Sequence, residues 1–252
     1  MSARSGFARH WGIFRSLLIY HAIPWRRRQL TRFYAQFIKP GDLCFDIGAH
    51  VGSRLRAWRP LDARIIAVEP QPACMALLRR WFGQQSQIVF VEQAVGATPG
   101  VAELQVSSRT PTVTTLSPAW IATVRRQRGF IAVRWDQRVP VTVTTLDALI
   151  ACYGLPAFCK IDVEGYELEV LNGLSQAIPA LSFEYLPAGL DTARDCITRL
   201  ATLGAYRFNW SVGEAQRLRS DHWLDAEAMC AQIARFTPAE GSGDIYARLP
   251  KA

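Results

Sequence analysis

From Gly41 onward, short apolar runs alternate with segments of helical period, and four of the runs stop on a carboxylate. These are "LCFD" at Asp46, "RIIAVE" at Glu69, "FCKID" at Asp162 and "LSFE" at Glu184. Alternation of this kind restricts the fold sharply, because parallel strands joined by helical crossovers form an open sheet covered on both faces, an α/β architecture. The ligand crevice of such a sheet lies outside the carboxyl ends of its strands. One edge of this sheet therefore collects four acids.

The individual elements follow from local signals. "DLCFDIG" and "RIIAVEP" read as the first two strands, with a short helix between them that stops at Pro60. In "QPACMALLRRWFG", Met75, Leu78 and Phe82 share a helical face and Gly83 supplies the stop. "QIVFVEQ" is a third strand, "AFCKIDVEG" a fourth and central one, "ALSFEYL" a fifth, and "AYRFNW" and "GDIYARL" the last two. "VPVTVTTLDALI" passes from a sheet pattern into a short helix beginning at Thr145 or Leu146. "YELEVLNGL" is a helix with Leu168, Leu171 and Leu174 on one side and Gly173 near its end, and "DTARDCITRLATLG" is a helix closed by Gly204. After "GVAELQV" the periodicity fails through residues 107–138, which carry two prolines and six arginines. An irregular insertion of that length reads as a lid or binding loop.

With 252 residues, 50% of them apolar, the chain can bury one sizeable core. The expected organisation is a main domain over residues 39–252 and a helical extension over residues 1–38. That extension either packs on the main domain or lies as a basic amphipathic segment on an anionic membrane. Arg15 interrupts its apolar run and no small-residue cleavage site follows, so it does not read as a signal peptide. No apolar stretch approaches the roughly 20 residues of a spanning helix. The formal charge is +8, and all but three of the 29 basic residues are arginines. Such a surface favours anionic partners, nucleic acid or membrane among them, although no RNA-binding module is evident. The six cysteines form no C-x-x-C pair and no zinc pattern with the histidines. Most read as small core residues, which fits a reducing, cytoplasmic setting.

The turn after the first strand narrows the ligand. "DIGAHVG" lacks the third glycine of a dinucleotide fingerprint, and Asp46 two residues before Gly48 would repel a phosphate. A cationic ligand suits it better. S-adenosylmethionine carries a sulfonium and an amino group and no phosphate, and Glu69, ending the next strand, is placed to accept the two hydroxyls of its ribose.

The ordered set "DIGAHVG", "VEPQPACMALLRR", "VPVTVTTLDALI" and "KIDVEGYELEVLNGL" resembles the successive motifs of FkbM-type methyltransferases over about residues 38 to 208. That family usually has Asn where this chain has His50, and both residue types tolerate positive φ. The resemblance implies a Rossmann-like class I fold, a seven-stranded sheet whose last strand is antiparallel, and transfer of a methyl group to oxygen. It implies that Asp46, Gly48, Ala49 and Gly52 surround the methionine part of the cofactor. Glu69 then holds the ribose, Pro70 shapes the following turn, and Gln93 with Ala94 borders the adenine. His50 either preserves the turn or acts on the substrate.

Methyl transfer to a hydroxyl needs in-line alignment and removal of the acceptor's proton. Asp162 and Glu164, at the end of the central strand, are candidates for the base or for a partner of the acceptor hydroxyl, with Asp162 also bordering the cofactor. Their alternative role is to cap the helix that follows. Lys160 shares strand parity with Asp162, and an ion pair between Lys160 and Glu184 is expected to position the substrate. Asp162, Glu164 and Glu184 could gather a divalent cation, but no His/carboxylate ligand set is evident and no metal is assigned. The reading is an S-adenosylmethionine-dependent O-methyltransferase acting on a sugar or other small natural product. Its rivals are an RNA methyltransferase, which the basic surface suits but which lacks the N-P-P-Y-like tetrapeptide, and a non-catalytic binding protein on the same fold. The oligomeric state is not written in the sequence.

Overall fold

The computed structural model describes residues 24–213, 215–237 and 241–250, without the side chains of residues 24–26 and 128. Seven strands form the main sheet: β1 (Leu43–Ile47), β2 (Arg64–Val68), β3 (Ile88–Val91), β7 (Phe158–Ile161), β8 (Ala180–Tyr185), β9 (Arg207–Trp210) and β10 (Gly243–Arg248). They lie in the order β3-β2-β1-β7-β8-β10-β9. β1, β2, β3, β7 and β8 run parallel, while β10 is antiparallel to both of its neighbours. The seven strands, the reversed last strand and the flanking helices are those expected. β1 and β7, at the centre, are buried along their whole length. Burial on both faces is why their sequences are apolar at every position but Asp46 and Lys160 rather than alternating.

Helices cover the two faces. On one side α1 (Pro24–Tyr34), α2 (Ser53–Trp58) and α3 (Pro72–Phe82) contribute Leu30, Tyr34, Leu55, Trp58, Leu78 and Phe82 to a core that meets Phe158 and Tyr246 of the sheet. Tyr34 sets its ring edge-on to Trp58 and Phe158, at 5.4 and 5.5 Å between centroids. Aromatic pairs of this kind add about 1 kcal/mol each beyond area burial. The described end of the N-terminal extension thus packs on the main domain. Residues 1–23, where the membrane-surface reading falls, lie outside the described residues.

The other face is covered by α5 (Leu146–Tyr153), α6 (Glu167–Asn172), α7 (Leu190–Leu203) and α8 (Ala226–Ile233), whose leucines and isoleucines pack on Phe45, Ile47, Ile161 and Phe183. Thr145 starts α5 as its N-cap, its hydroxyl accepting the Ala148 N–H. Leu171 and Leu174 are buried as the leucine spacing requires, and Leu168 packs at their rim. The cysteines are all free; Cys44, Cys74, Cys159 and Cys196 are buried. No described helix is long and apolar enough to cross a membrane.

Residues 107–138 depart from expectation. β4 (Ala94–Val95), β5 (Gly100–Val106) and β6 (Gln137–Thr144) form a second sheet in the order β4-β6-β5. The chain between β5 and β6 is a folded cap rather than an irregular loop. It contains one-turn 3-10 helices at Pro111–Val113 and Arg128–Phe130, and the helix α4 (Pro118–Val124). Ser117 caps α4 through its hydroxyl and Pro118 occupies the first turn. Val113, Trp120, Ile121, Val124 and Val133 give this segment a small core of its own.

Candidate active site

The turn after β1 is latched to its neighbours before it meets any ligand. The N–H groups of Gly48 and Ala49 both donate to the Val68 carbonyl, at 2.9 and 3.0 Å. Gly48 has φ 85°, and a Cβ there would collide with the backbone carbonyl of Asp162. Only glycine fits, because both the left-handed conformation and the close approach of β7 exclude a side chain. His50 continues the turn at φ 45°, a left-handed conformation that histidine tolerates better than most residues. Its N–H donates to Glu69 Oε2 at 2.8 Å, and the Gln71 N–H donates to Glu69 Oε1 at 2.8 Å. One carboxylate thereby ties the β1 turn to the β2 turn. An ionised carboxylate accepts about four hydrogen bonds, so Glu69 retains capacity toward the cavity it lines.

Asp46 is 1% exposed, and its Oδ2 has no hydrogen-bond partner. Burial pushes its carboxyl up to about 7, against the pull of the Arg54 and Lys160 cations. Burial likewise pushes Glu69 up to about 7, opposed by the Gln71 and His50 amides. A buried acceptor left without a donor costs roughly 1–3 kcal/mol. Such an atom facing a cavity fits a ligand that brings an N–H of its own.

Behind the cavity wall, Lys160 links two of the carboxylates that line it. Lys160 is fully buried and sits 2.7 Å from Asp244 Oδ1 and 3.3 Å from Asp162 Oδ2, and it also donates to the Ile161 carbonyl. Burial lowers the pKa of this lysine, but the two carboxylates outweigh burial and hold it above the ordinary value. The expected pairing of Lys160 with Glu184 is therefore corrected. Lys160 faces Ser182 across the β7–β8 register, while the antiparallel β10 brings Asp244 opposite Glu184 at the same edge and within the lysine's reach. Asp244 also accepts from the Tyr246 hydroxyl at 3.2 Å and lies 3.9 Å from Arg54 of α2.

Past β7, Asp162, Glu164 and Glu184 bring carboxylate oxygens within 4.8 Å of one another. Burial, then the charge of Asp162, raises both Glu164 and Glu184 well above the usual carboxylate range. Glu164 has φ 56°, a conformation that costs a non-glycine residue about 1–2 kcal/mol. Two contacts brace it. The Thr115 hydroxyl donates to its carbonyl at 2.7 Å, and Glu167 Oε1 accepts the N–H groups of Val163 and Gly165 at 3.2 and 3.1 Å. Neither Asp162 nor Glu164 caps the helix that follows, whose N-cap is Tyr166 with no side-chain cap hydrogen bond; the turn before it is held by Glu167, 3% exposed.

The cap closes over this edge. The Gln71 side chain donates to the Pro111 carbonyl at 3.2 Å, and the Trp135 indole donates to the Val113 carbonyl at 2.8 Å. Trp120 packs so closely on Gly165 that a Cβ there would overlap its ring. Pro70, Gln93 and Ala94 line the same cavity, as do Asp162, Glu164 and Glu184. The residues expected at the site therefore meet in one place except Lys160, which is buried behind Asp162 and Asp244, and Gly52, which does not line the cavity and faces Leu78 and Phe82 of α3 instead. Asp244 and Glu167 were not foreseen.

The sequence pattern of the methyltransferase FkbM domain matches residues 46–189, more than half of the chain. The chain belongs to the FkbM methyltransferase family. It is an S-adenosylmethionine-dependent methyltransferase of class I fold. No curated protein matches it by sequence. Among solved structures it is similar to a precorrin-6y C5,15-methyltransferase from Geobacter metallireducens, at 12% identity and TM-score 0.47, over 89% of this chain and 87% of that one. It is also similar to a Bacillus cereus O-methyltransferase in complex with SAH, at 10% identity and TM-score 0.46, over 99% and 92%. A TehB-like SAM-dependent methyltransferase from Corynebacterium glutamicum matches at 10% identity and TM-score 0.46, over 98% and 99%.

The residues of this FkbM domain fit the cofactor. Asp46 and Glu69 both line the cavity; the unpartnered Oδ2 of Asp46 suits the cofactor's ammonium, and Glu69 retains acceptor capacity for ribose hydroxyls. When bound, S-adenosylmethionine supplies an electrophilic methyl group on a cationic sulfur. The protein's part is to bind and orient it in the cavity that the 107–136 cap helps to line.

Proposed function

We propose that this protein transfers methyl groups to a hydroxyl of a sugar or other small natural product. The observation that carries this reading is the meeting of Asp162, Glu164 and Glu184 within 4.8 Å, beside the cofactor turn and under the cap. A hydroxyl becomes a competent nucleophile when its proton has somewhere to go, and a carboxylate whose proton affinity is raised by burial is a better general base than an ordinary one. Clustered carboxylates can also accept hydrogen bonds from several hydroxyls of a polyol at once. Asp162 is the acceptor's hydrogen-bond partner at the cofactor side, held in place by Lys160, and Glu164 or Glu184 takes the proton.

The test is S-adenosylhomocysteine release with a panel of glycosides and hydroxylated small molecules, scored by the mass of the methylated product. An O-methylated product formed at least tenfold more slowly by Asp162→Asn, with cofactor affinity within a few-fold of wild type, supports the reading. A product methylated on nitrogen or carbon, or an Asp162→Asn enzyme of undiminished turnover, sinks it.

A further inference from the structure

The charge inventory of the cavity wall is lopsided. Among the described residues, six carboxylates line it (Asp46, Glu69, Asp162, Glu164, Glu184 and Asp244), and the one arginine or lysine side chain that joins them is Arg54. The cofactor has the complementary inventory, with a sulfonium and an ammonium against a single carboxylate. From this match we infer that Arg54 receives the α-carboxylate of the cofactor's methionine part. The inference rests on the cofactor assignment and adds to it one residue, Arg54.

The placement supports the pairing. Arg54 lies in the first turn of α2, directly after the Gly48–Gly52 turn, so its side chain rises from the segment that surrounds the methionine part. The side chain is 11% exposed, lies over the Tyr34 ring at 5.8 Å, and is 3.9 Å from Asp244 Oδ2. A floor made of one ring and one carboxylate fixes the guanidinium on the cavity wall. Its planar fork of N–H donors matches the two oxygens of a carboxylate. Arg54 also pulls the Asp46 carboxyl toward its ionised form, so the arginine and the aspartate form a cation–anion pair of sites. An anion anywhere else on this wall would face carboxylates.

Calorimetric titration with three probes separates the possible roles. They are S-adenosylhomocysteine, its decarboxylated analogue that keeps the amine, and 5′-methylthioadenosine, which lacks both groups. Wild-type protein is expected to bind the decarboxylated analogue at least tenfold more weakly than S-adenosylhomocysteine. Arg54→Met is expected to weaken S-adenosylhomocysteine at least tenfold while leaving the other two within threefold, so that the two amine-bearing probes become equal. If wild-type protein binds S-adenosylhomocysteine and its decarboxylated analogue alike, the inference is overturned without recourse to any variant. Equal weakening of both amine-bearing probes by Arg54→Met also overturns it, because Arg54 then acts only through Asp46. Failure of the wild type to bind S-adenosylhomocysteine, while its fold is intact by circular dichroism, refutes the cofactor assignment itself and this inference with it.

Discussion

The two carboxyls assigned to the cofactor's ammonium and ribose, Asp46 and Glu69, are both pushed by burial to about 7, and on that assignment cofactor affinity is a steep function of pH. A carboxyl of that value is about 9% ionised at pH 6.0 and about 76% ionised at pH 7.5. If only the Asp46 anion accepts the ammonium, affinity for S-adenosylhomocysteine falls about eightfold from pH 7.5 to 6.0. If Glu69 must be ionised as well, the fall is about seventyfold. The stability of the ligand-free protein runs the other way. A folded-state value above the ordinary one means the native protein binds the proton more tightly than the unfolded chain. These groups therefore cost stability progressively as pH rises from about 4 to about 7. A bound cation relieves that cost, so the thermal shift given by S-adenosylhomocysteine is larger at pH 7.5 than at pH 6.0. The assay is calorimetric titration at both pH values, in two buffers of different ionisation enthalpy, with release of about half a proton per carboxyl expected at pH 7. A dissociation constant that stays within twofold between the two pH values, with no buffer dependence of the heat, refutes the reasoning.

Two substitutions probe the scaffold beneath the site. Gly48→Ala puts a Cβ into the Asp162 carbonyl in a left-handed turn; the conformational cost alone is about 1–2 kcal/mol, and cofactor affinity measured by calorimetry falls at least tenfold. Lys160→Met leaves Asp162 and Asp244 without their shared buried cation, a loss of about 3–5 kcal/mol read as a lower midpoint in thermal unfolding, and Lys160→Met combined with Asp244→Leu recovers part of it.

The parts of this site legible in the sequence are those where a parallel strand ends. Asp46, Glu69, Asp162 and Glu184 are visible because an apolar run stopping on an acid marks the carboxyl end of a strand, and all parallel strands end at one edge. Asp244 obeys the opposite geometry. β10 is antiparallel, so its first residues reach that edge, and an acid that begins a strand carries no such mark. Placing "GDIYARL" as a reversed neighbour of β8 would have revealed Asp244, and with it the true partner of Lys160. Glu167 was hidden differently, as a buried acid in the first turn of an otherwise leucine-lined helix, where its charge reads as ordinary dipole compensation. The cap was misjudged because α4, at seven residues, is too short for a helical period to stand out. The Ser117-Pro118 pair, a capping hydroxyl followed by a residue suited to the first turn, was the available signal.

The central claim is that acids gathered at one sheet edge hold a cationic sulfur nucleoside and aim its sulfur at a proton-accepting cluster. A crystal structure of the S-adenosylhomocysteine complex tests this most directly. The account predicts the ammonium on Asp46, the ribose on Glu69, the adenine beside Gln93 and Ala94, and the sulfur facing Asp162, Glu164 and Glu184. A ligand with its sulfur turned away from those three carboxylates, or its ribose away from Glu69, contradicts it.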